Sequence, residues 1–446
     1  MKEEIKLEDY DVSPKTGFLP PEFPLEELPQ EYYRPWEDIA KRLPAFILTR
    51  KIRWIVDERL DTLSTIYLKS KEELRRGYQI LGFLTHAYVW TGAPVSRIPP
   101  QLARPLIEIS NRLGIRPLAT YSSLCLWNFR PLIKEANNDD NWHINNFSTI
   151  CTFTGSTDES GFYLVSVYLE YKGGEVIQVG LRALESAQEG NTEGLIDELQ
   201  RLAQLIDNLG TILMRMEEFC DPHVFYFRIR PFLNGWKDMK DIGFDKNGLL
   251  YGDNSDLRSY AGGSNAQSSL FQFLDMLLGI EHYSGVDDEE APSKNTPNEY
   301  LVDMLNYMPR KHREFLLTIK RNTCIKQFVL EKKGADNALT LSYDACLAMM
   351  KLLREKHLQI VTRYIVLQQK KEKLLGSYST ARSGLSNPHT PWEKEAKGTG
   401  GTSLLRFLKQ CRDESGEPAA GSWGKRVLTD SNMRLKYSKP NGINED

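Results

Sequence analysis

The chain lacks most of the signatures that assign a chemistry at sight. None of its six cysteines (Cys125, Cys151, Cys220, Cys324, Cys346 and Cys411) falls in a CxxC spacing. That argues against a zinc site and against a disulfide scaffold. The seven histidines form no HExxH, and the one HxE, His312-Arg313-Glu314, lies in the helical-looking RKHREFLLTIK. Residues two apart on a helix face different ways, so this segment reads as a solvated charged face rather than a metal site. A GxSxG elbow is missing, which weakens a hydrolase reading. No apolar run approaches a membrane span, and a net charge of −3 over 446 residues provides no basic field for nucleic acid or an anionic membrane. The opening MKEEIKLEDYDVSPKTGF is acidic and lacks an apolar core, unlike a secretory signal or a transit peptide. A reducing, cytoplasmic setting is the expectation.

What is present is helix, above all in the stretch Leu341 to Leu375, which contains neither Gly nor Pro. Cys346, Met350, Leu353, His357, Ile360 and Tyr364 recur at steps of three and four and draw one apolar stripe. An imidazole inside such a stripe is either a core histidine satisfied by one hydrogen bond or a ligand to something buried; periodicity alone favours the former. Helical patterns also cover Trp36 to about Ile115, where Ser70 and Glu73 are spaced as a capping box and His86 reads as a packing or capping histidine. Residues 11–36, rich in Pro and isolated aromatics, read as an extended surface arm. A polar loop ends near residue 150, and the length suggests at least two domains. Gly161 to Leu184 alternates β-branched and aromatic residues around Gly173-Gly174, which local rules read as a β-hairpin. Residues 283–297 form an acidic, Pro-containing insertion, and 376–402 read as mobile.

Three places could carry chemistry. Asp275, in the apolar FQFLDMLLGIEH, needs a cationic partner if buried, and Arg354, one turn before His357, is the natural one. The pair is either a helix-to-helix salt bridge or the edge of an anionic cofactor's site. Arg230 stands among Phe225, Tyr226, Phe227, Phe232 and Trp236. It either forks a carboxylate while the rings stack on an aromatic body, or snorkels over core aromatics. The run Lys397-Gly398-Thr399-Gly400-Gly401-Thr402 precedes a helical segment but lacks the GK[ST] ending of a phosphate loop. It fits a lid over a pocket or a plain helix-entry loop.

Several ordered blocks together resemble the indoleamine 2,3-dioxygenase family: PLATYSSLCLWNF, GFYLVSVYLE, FRIRPFLNGWK, YAGGSNAQSSLFQFLDMLLGIEH, YMPRKHREFL, SYDACLAMMKLLREKHLQIVTRYI and EAKGTGGTSLLRFLK. The resemblance implies an all-α fold. A small, mainly helical N-terminal domain (1–150) would cover the distal side of a large helical haem-binding domain (151–410). Residues 376–402 would be a mobile lid, and 411–446 a mostly disordered tail. It implies one haem b per chain, L-tryptophan and O2 as partners, a monomer, and N-formylkynurenine as product on the kynurenine route to NAD. His357 would be the proximal haem-iron ligand. Arg354, Asp275 and Ser264 would lie at the haem, with Arg354 meeting a propionate. Arg230 would hold the substrate carboxylate, Tyr121, Phe162, Phe225 and Tyr226 would wall the distal pocket, and Ser166 would be a small polar group near indole and O2. Thr399 would belong to the loop that closes over the substrate. The family is helical across Gly161 to Gly180, so helix is expected there against the local rules. Three positions depart from the family pattern: Tyr226 for a frequent Phe, Asn265 for a small residue, and Leu124 for a Cys of some members. Two other readings remain: a sister haem enzyme acting on another indole or using peroxide, and a non-catalytic haem-binding signalling protein.

Overall fold

The structure, a computed structural model, describes residues 5–134, 141–237, 239, 245, 247–284, 296–375 and 404–429. The expected lid at 376–402, with Thr399, and most of the acidic insertion therefore lie outside the described residues.

The fold is all-α, and the helices that position the site are few. They are α1 (Lys71–Trp90), α2 (Pro100–Leu113), α3 (Thr157–Glu189), α4 (Thr192–Met214), α5 (Ser269–Leu278), α6 (Arg310–Asn322), α7 (Asn337–Val361), α8 (Leu404–Glu414) and α9 (Ser422–Thr429). Strands among the described residues span two or three residues. Arg97–Ile98 pairs in parallel with Leu249–Tyr251, which pairs antiparallel with Leu257–Arg258; Arg130–Pro131 pairs antiparallel with Phe147–Ser148. The most extensive helix contacts are α4 with α7 and α4 with α3, so α4 lies between these two. Nearer the N-terminus α1 packs on α2 and on Arg34–Lys41.

Local chemistry fixes the ends of these helices. Ser70 and Glu73 close a reciprocal capping box at α1, as their spacing predicted. Gly190, at φ +76°, ends α3 in the left-handed region that costs glycine little, and Asn191 caps α4 by accepting from Gly194 N at 3.0 Å. Inside α1, buried His86 donates from Nδ1 to Phe232 O at 2.7 Å, and its Nε2 accepts from Ala119 N at 3.1 Å. Burial pushes its pKa down to about 4, so the ring is a neutral cross-link between α1 and the segment that carries Arg230. It is a packing histidine, as its sequence context suggested.

The segment that local rules make a hairpin is the middle of the 33-residue α3. Gly173 and Gly174 are not a turn but a contact face. A Cβ on Gly173 would lie 2.5 Å from Leu270 Cδ2, and one on Gly174 2.5 Å from Lys15 O. Burial on both sides of α3 outweighs the β-propensity of its Val and Tyr residues.

Three expectations are corrected. The arm at 11–36 is not a surface strand: Val12, Phe18 and Leu19 are core residues, and Ser13 and Gly17 form a bridge seated on α3. His312 is not on a solvated face either; it is buried, with its ring 5.0 Å from that of Phe18. The tail from 411 is ordered as far as 429: α9 packs on α7, and Asp344 accepts from Ala420 N at 2.8 Å and Gly421 N at 2.9 Å. Composition hid all three, because a few apolar anchors hold otherwise polar segments down.

Gly174→Ala tests the docked arm. The added methyl meets backbone, which cannot swing aside, so a loss of about 1–3 kcal/mol in denaturant unfolding is expected, with native helical content kept. A variant as stable as the parent would mean that the arm is not seated on α3 in solution.

Candidate active site

Three π-helical turns, Ser122–Leu126, Phe225–Ile229 and Thr362–Val366, deliver side chains to one cavity. Each extra residue per turn re-aims the chain that follows, the usual service of such turns at functional sites. The cavity measures ≈ 220 Å³, far above the ~10–15 Å³ that one water needs, so it is a binding space rather than a packing defect. Its lining is mainly apolar and includes eight of the expected site residues: Tyr121, Phe162, Phe225, Arg230, Ser264, Asp275, Arg354 and His357. Asn265 and Leu124, two of the departures, line it as well.

Ser166 and Tyr226 are not among the lining residues. Ser166 sits one turn after Phe162 on α3, behind the wall and in hydrogen-bond reach of Cys125. Tyr226, expected to bring a hydroxyl towards the ligand, instead lays its ring 5.7 Å from the Arg230 guanidinium carbon. The reason is that neighbours on a helix point about 100° apart, so with Phe225 facing the cavity Tyr226 turns to another side.

On α7, the partly exposed His357 ring meets the cavity. Burial, aided by the positive Arg354, pushes its pKa down to about 4. The ring is thus neutral, with a lone pair to offer a buried partner. Phe162 and Phe225 meet at 4.7 Å between ring centroids, and Tyr364 stands edge-on to Phe225 at 5.8 Å. Buried Arg230 enters from the short helix Arg230–Leu233, whose Phe232 carbonyl His86 holds.

The predicted salt bridge exists and belongs to a larger network. Arg354 Nη2 donates to Asp275 Oδ1 at 2.6 Å and Oδ2 at 2.7 Å, and its Nη1 donates to Ser415. His282 Nε2 lies 3.3 Å from Asp275 Oδ2, and its Nδ1 lies 2.6 Å from Glu414 Oε2. Burial opposes charge on both groups of the Asp275–His282 contact, but the opposite charges win. Arg354 and His282 hold the Asp275 carboxyl below its usual range, while Asp275, Cys411 and Glu414 hold His282 well above 6.5. His282, Cys411 and Glu414 bring ligand-type atoms within 4.8 Å of one another, but 2.6 Å between Nδ1 and Oε2 is the spacing of a shared proton. Sequence reasoning missed His282 and Glu414, since nothing in GIEH or KQCRDE marks them as neighbours.

It also missed Glu170, which had a signal: Phe162, Ser166 and Glu170 recur at steps of four on the helix. Fully buried, Glu170 accepts at Oε1 from Tyr121 Oη at 3.0 Å and Ser268 Oγ at 2.5 Å, while its Oε2 has no partner among the described residues. Burial raises its pKa from 4.5 to about 7. Between those values the folded chain keeps a proton that the unfolded chain has released, so stability falls as pH rises. Glu170→Gln should remove up to about 3 kcal/mol of that fall. Unfolding free energies of both proteins at several pH values check this; parallel curves would refute the buried acid.

These elements run in one order along nearly the whole chain, and so does its likeness to known proteins. A family model described as indoleamine 2,3-dioxygenase matches residues 6–418. The chain is 42% identical over 427 residues to the indoleamine 2,3-dioxygenase of Saccharomyces cerevisiae, with 92% of each protein covered. It is 35% identical over 418 residues to the 6-hydroxytryptophan 2,3-dioxygenase fscD of Fusarium equiseti, covering 92% of this chain and 96% of that one. Against indoleamine 2,3-dioxygenase 2 of Homo sapiens the identity is 34% over 417 residues, covering 92% and 95%. A helical protein most of whose expected site residues fall in the blocks that carried the resemblance is thereby placed: the chain belongs to the indoleamine 2,3-dioxygenase family and is an oxidoreductase of the dioxygenase class.

Proposed function

We propose that this dioxygenase inserts both atoms of O2 across the indole C2–C3 bond of L-tryptophan, giving N-formylkynurenine on the kynurenine route to NAD, with haem b as cofactor. The observation that carries the reading is a neutral imidazole, His357, opening on an apolar cavity that it shares with a buried arginine, Arg230. When bound, the haem supplies the O2 chemistry that no side chain in the cavity can. The residues fit the group: an unprotonated ring nitrogen for iron, apolar walls for the macrocycle, and Arg354 at the edge for a propionate. Arg354 would meet that carboxylate only through donors that Asp275 and Ser415 leave free, so Asp275 would temper its charge.

The remaining roles follow from side-chain chemistry. Arg230 forks the substrate carboxylate, and Phe162 and Phe225, packed on each other at 4.7 Å, offer the indole one continuous aromatic wall. Tyr121 and Ser264 add hydroxyls to the wall, with Tyr121 fixed by Glu170 and Ser264 within 3.5 Å of Tyr300 Oη. Ser166 acts from behind Cys125. A mainly apolar lining, with His357 given to the haem and Asp275 paired to Arg354, suits a reaction whose electrons come from the indole ring and whose main need is the exclusion of water. The N-terminal residues cover the distal side in this reading.

A substituted indole as the preferred substrate is the second reading, favoured by the 35% identity to a protein named 6-hydroxytryptophan 2,3-dioxygenase. Offering the purified, reduced protein each amino acid under air separates the two by relative kcat/KM. An intense Soret band is expected in the parent and its loss in His357→Ala. Arg230→Leu should keep the band but raise KM for L-tryptophan about 10- to 100-fold, the weight of a charge-assisted fork. A Soret band without N-formylkynurenine would sink the tryptophan reading, and no haem uptake would sink the cofactor assignment.

A further inference from the structure

The cavity edge carries more charge than the Arg354–Asp275 pair. His282 follows α5, whose C-terminal Gly279 lies in the left-handed region at φ +69° and turns the chain back. That return sets the imidazole between two carboxylates: Asp275 of α5 on its Nε2 side and Glu414 of α8 on its Nδ1 side. Arg354 of α7 also touches it, with Nη2 3.2 Å from Nε2, and the Cys411 thiol of α8 lies in hydrogen-bond reach. Glu414 is itself fixed by Tyr283 N at 3.2 Å and Gln410 Nε2 at 2.7 Å. With both ring nitrogens facing carboxylate oxygens, His282 can satisfy both only by carrying two protons. The charged groups of the cluster are then two cations, Arg354 and His282, against two anions, Asp275 and Glu414. Three of these four, Asp275, Arg354 and His282, line the cavity.

We propose that protonated His282 is a positioning residue that balances the charge of the Asp275–Arg354 pair at the cavity edge, and so sets how firmly the pocket holds an anionic group of its cofactor. The proposal rests on the reading of the cavity as a haem site. Remove the His282 proton and the same four groups carry an excess of one anion. Asp275 then has Arg354 as its sole cation within the cluster, and less of the guanidinium's field reaches a propionate. The geometry adds a mechanical effect of the same sign, because α8 is tied to α5 through this ring. Loss of the proton leaves one of the two carboxylates without its imidazole donor, although Asp275 keeps Arg354 and Glu414 keeps Tyr283 N and Gln410.

Haem release measures the effect without relying on turnover. The haem-loaded full chain is mixed with excess apomyoglobin, and transfer is followed in the Soret region from about pH 6 to about pH 10, spanning the loss of an imidazolium whose pKa is raised. Release from the parent should quicken about tenfold across that range, the weight of one unit charge felt at ~10 Å through an effective dielectric of ~20. His282→Gln should release quickly at every pH. Glu414→Gln removes an anion and should release more slowly than the parent at about pH 6, where the imidazolium is retained. That opposite sign separates charge balance from a mere structural clasp. Equal acceleration in both variants, or a His282→Gln profile that follows the parent, would overturn the proposal. A parent with no Soret band would overturn the haem reading, and this inference with it; a parent that binds haem but releases it independently of pH would overturn this inference alone.

Discussion

The long helix Thr157–Glu189 can be approached closely on several sides, by backbone at Gly161 and Gly174 and by side chains at Gly173 and Gly180, because its own side chains are missing where they would collide. A Cβ on Gly161 would stand 2.1 Å from Phe219 O, one on Gly174 2.5 Å from Lys15 O, and one on Gly180 2.7 Å from Leu277 Cδ2. Each close approach brings in a part of the site. The Phe219 contact seats the segment that leads to Phe225 and Arg230, and the Leu270 and Leu277 contacts seat the helix that bears Asp275. The Lys15 contact seats the N-terminal arm. Glycine in a helix interior costs about 1 kcal/mol each relative to alanine, a cost that this packing offsets. The cavity is the gap left where these approaches cannot close completely.

Around that gap the charges are handled in two ways. Single groups are pushed towards neutrality by burial: His86 and His357 have pKa values near 4, and that of Glu170 is raised to about 7. Arg354, Asp275, His282 and Glu414, by contrast, hold their charges by alternating sign over contacts of 2.6 to 3.3 Å. The first arrangement gives a dry wall with an available imidazole; the second gives an edge that can meet an anion. An apolar substrate body and a charged cofactor rim need both within one enclosure, because water admitted at the rim would screen the interactions inside.

Much of this was legible in the residues. The stripe from Cys346 to Tyr364 gave the helix of His357, and the stranded Asp275 pointed to Arg354, because a lone buried carboxylate demands a cation. Ordered family blocks then assigned helix to Gly161–Gly180, where local pattern indicated strand. What stayed hidden was contact between segments far apart in sequence. The arm at 11–36 looked like surface because its contacts are distant in the chain: Phe18 packs on Phe315 and His312, and Gly17 on Glu170 and Gly174. Ser422–Thr429 looked disordered because its docking partners, Asp344 and Lys351, are distant in the chain.

Sequence by itself thus determined the all-α class, the family, and the residue types at the site, since helix periodicity and ordered motifs are local properties that one chain displays. Tertiary structure alone decided which of those residues share the cavity: Phe162 and Phe225 do, whereas Ser166 stands behind the wall and Tyr226 turns under Arg230. It alone decided that His282 meets Asp275 and Glu414, residues 7 and 132 positions away in the chain. The physical reason is that π-helical turns and glycine contacts rotate and translate helices by amounts that no periodicity encodes, and a side chain's charge is fixed only by what that placement brings beside it.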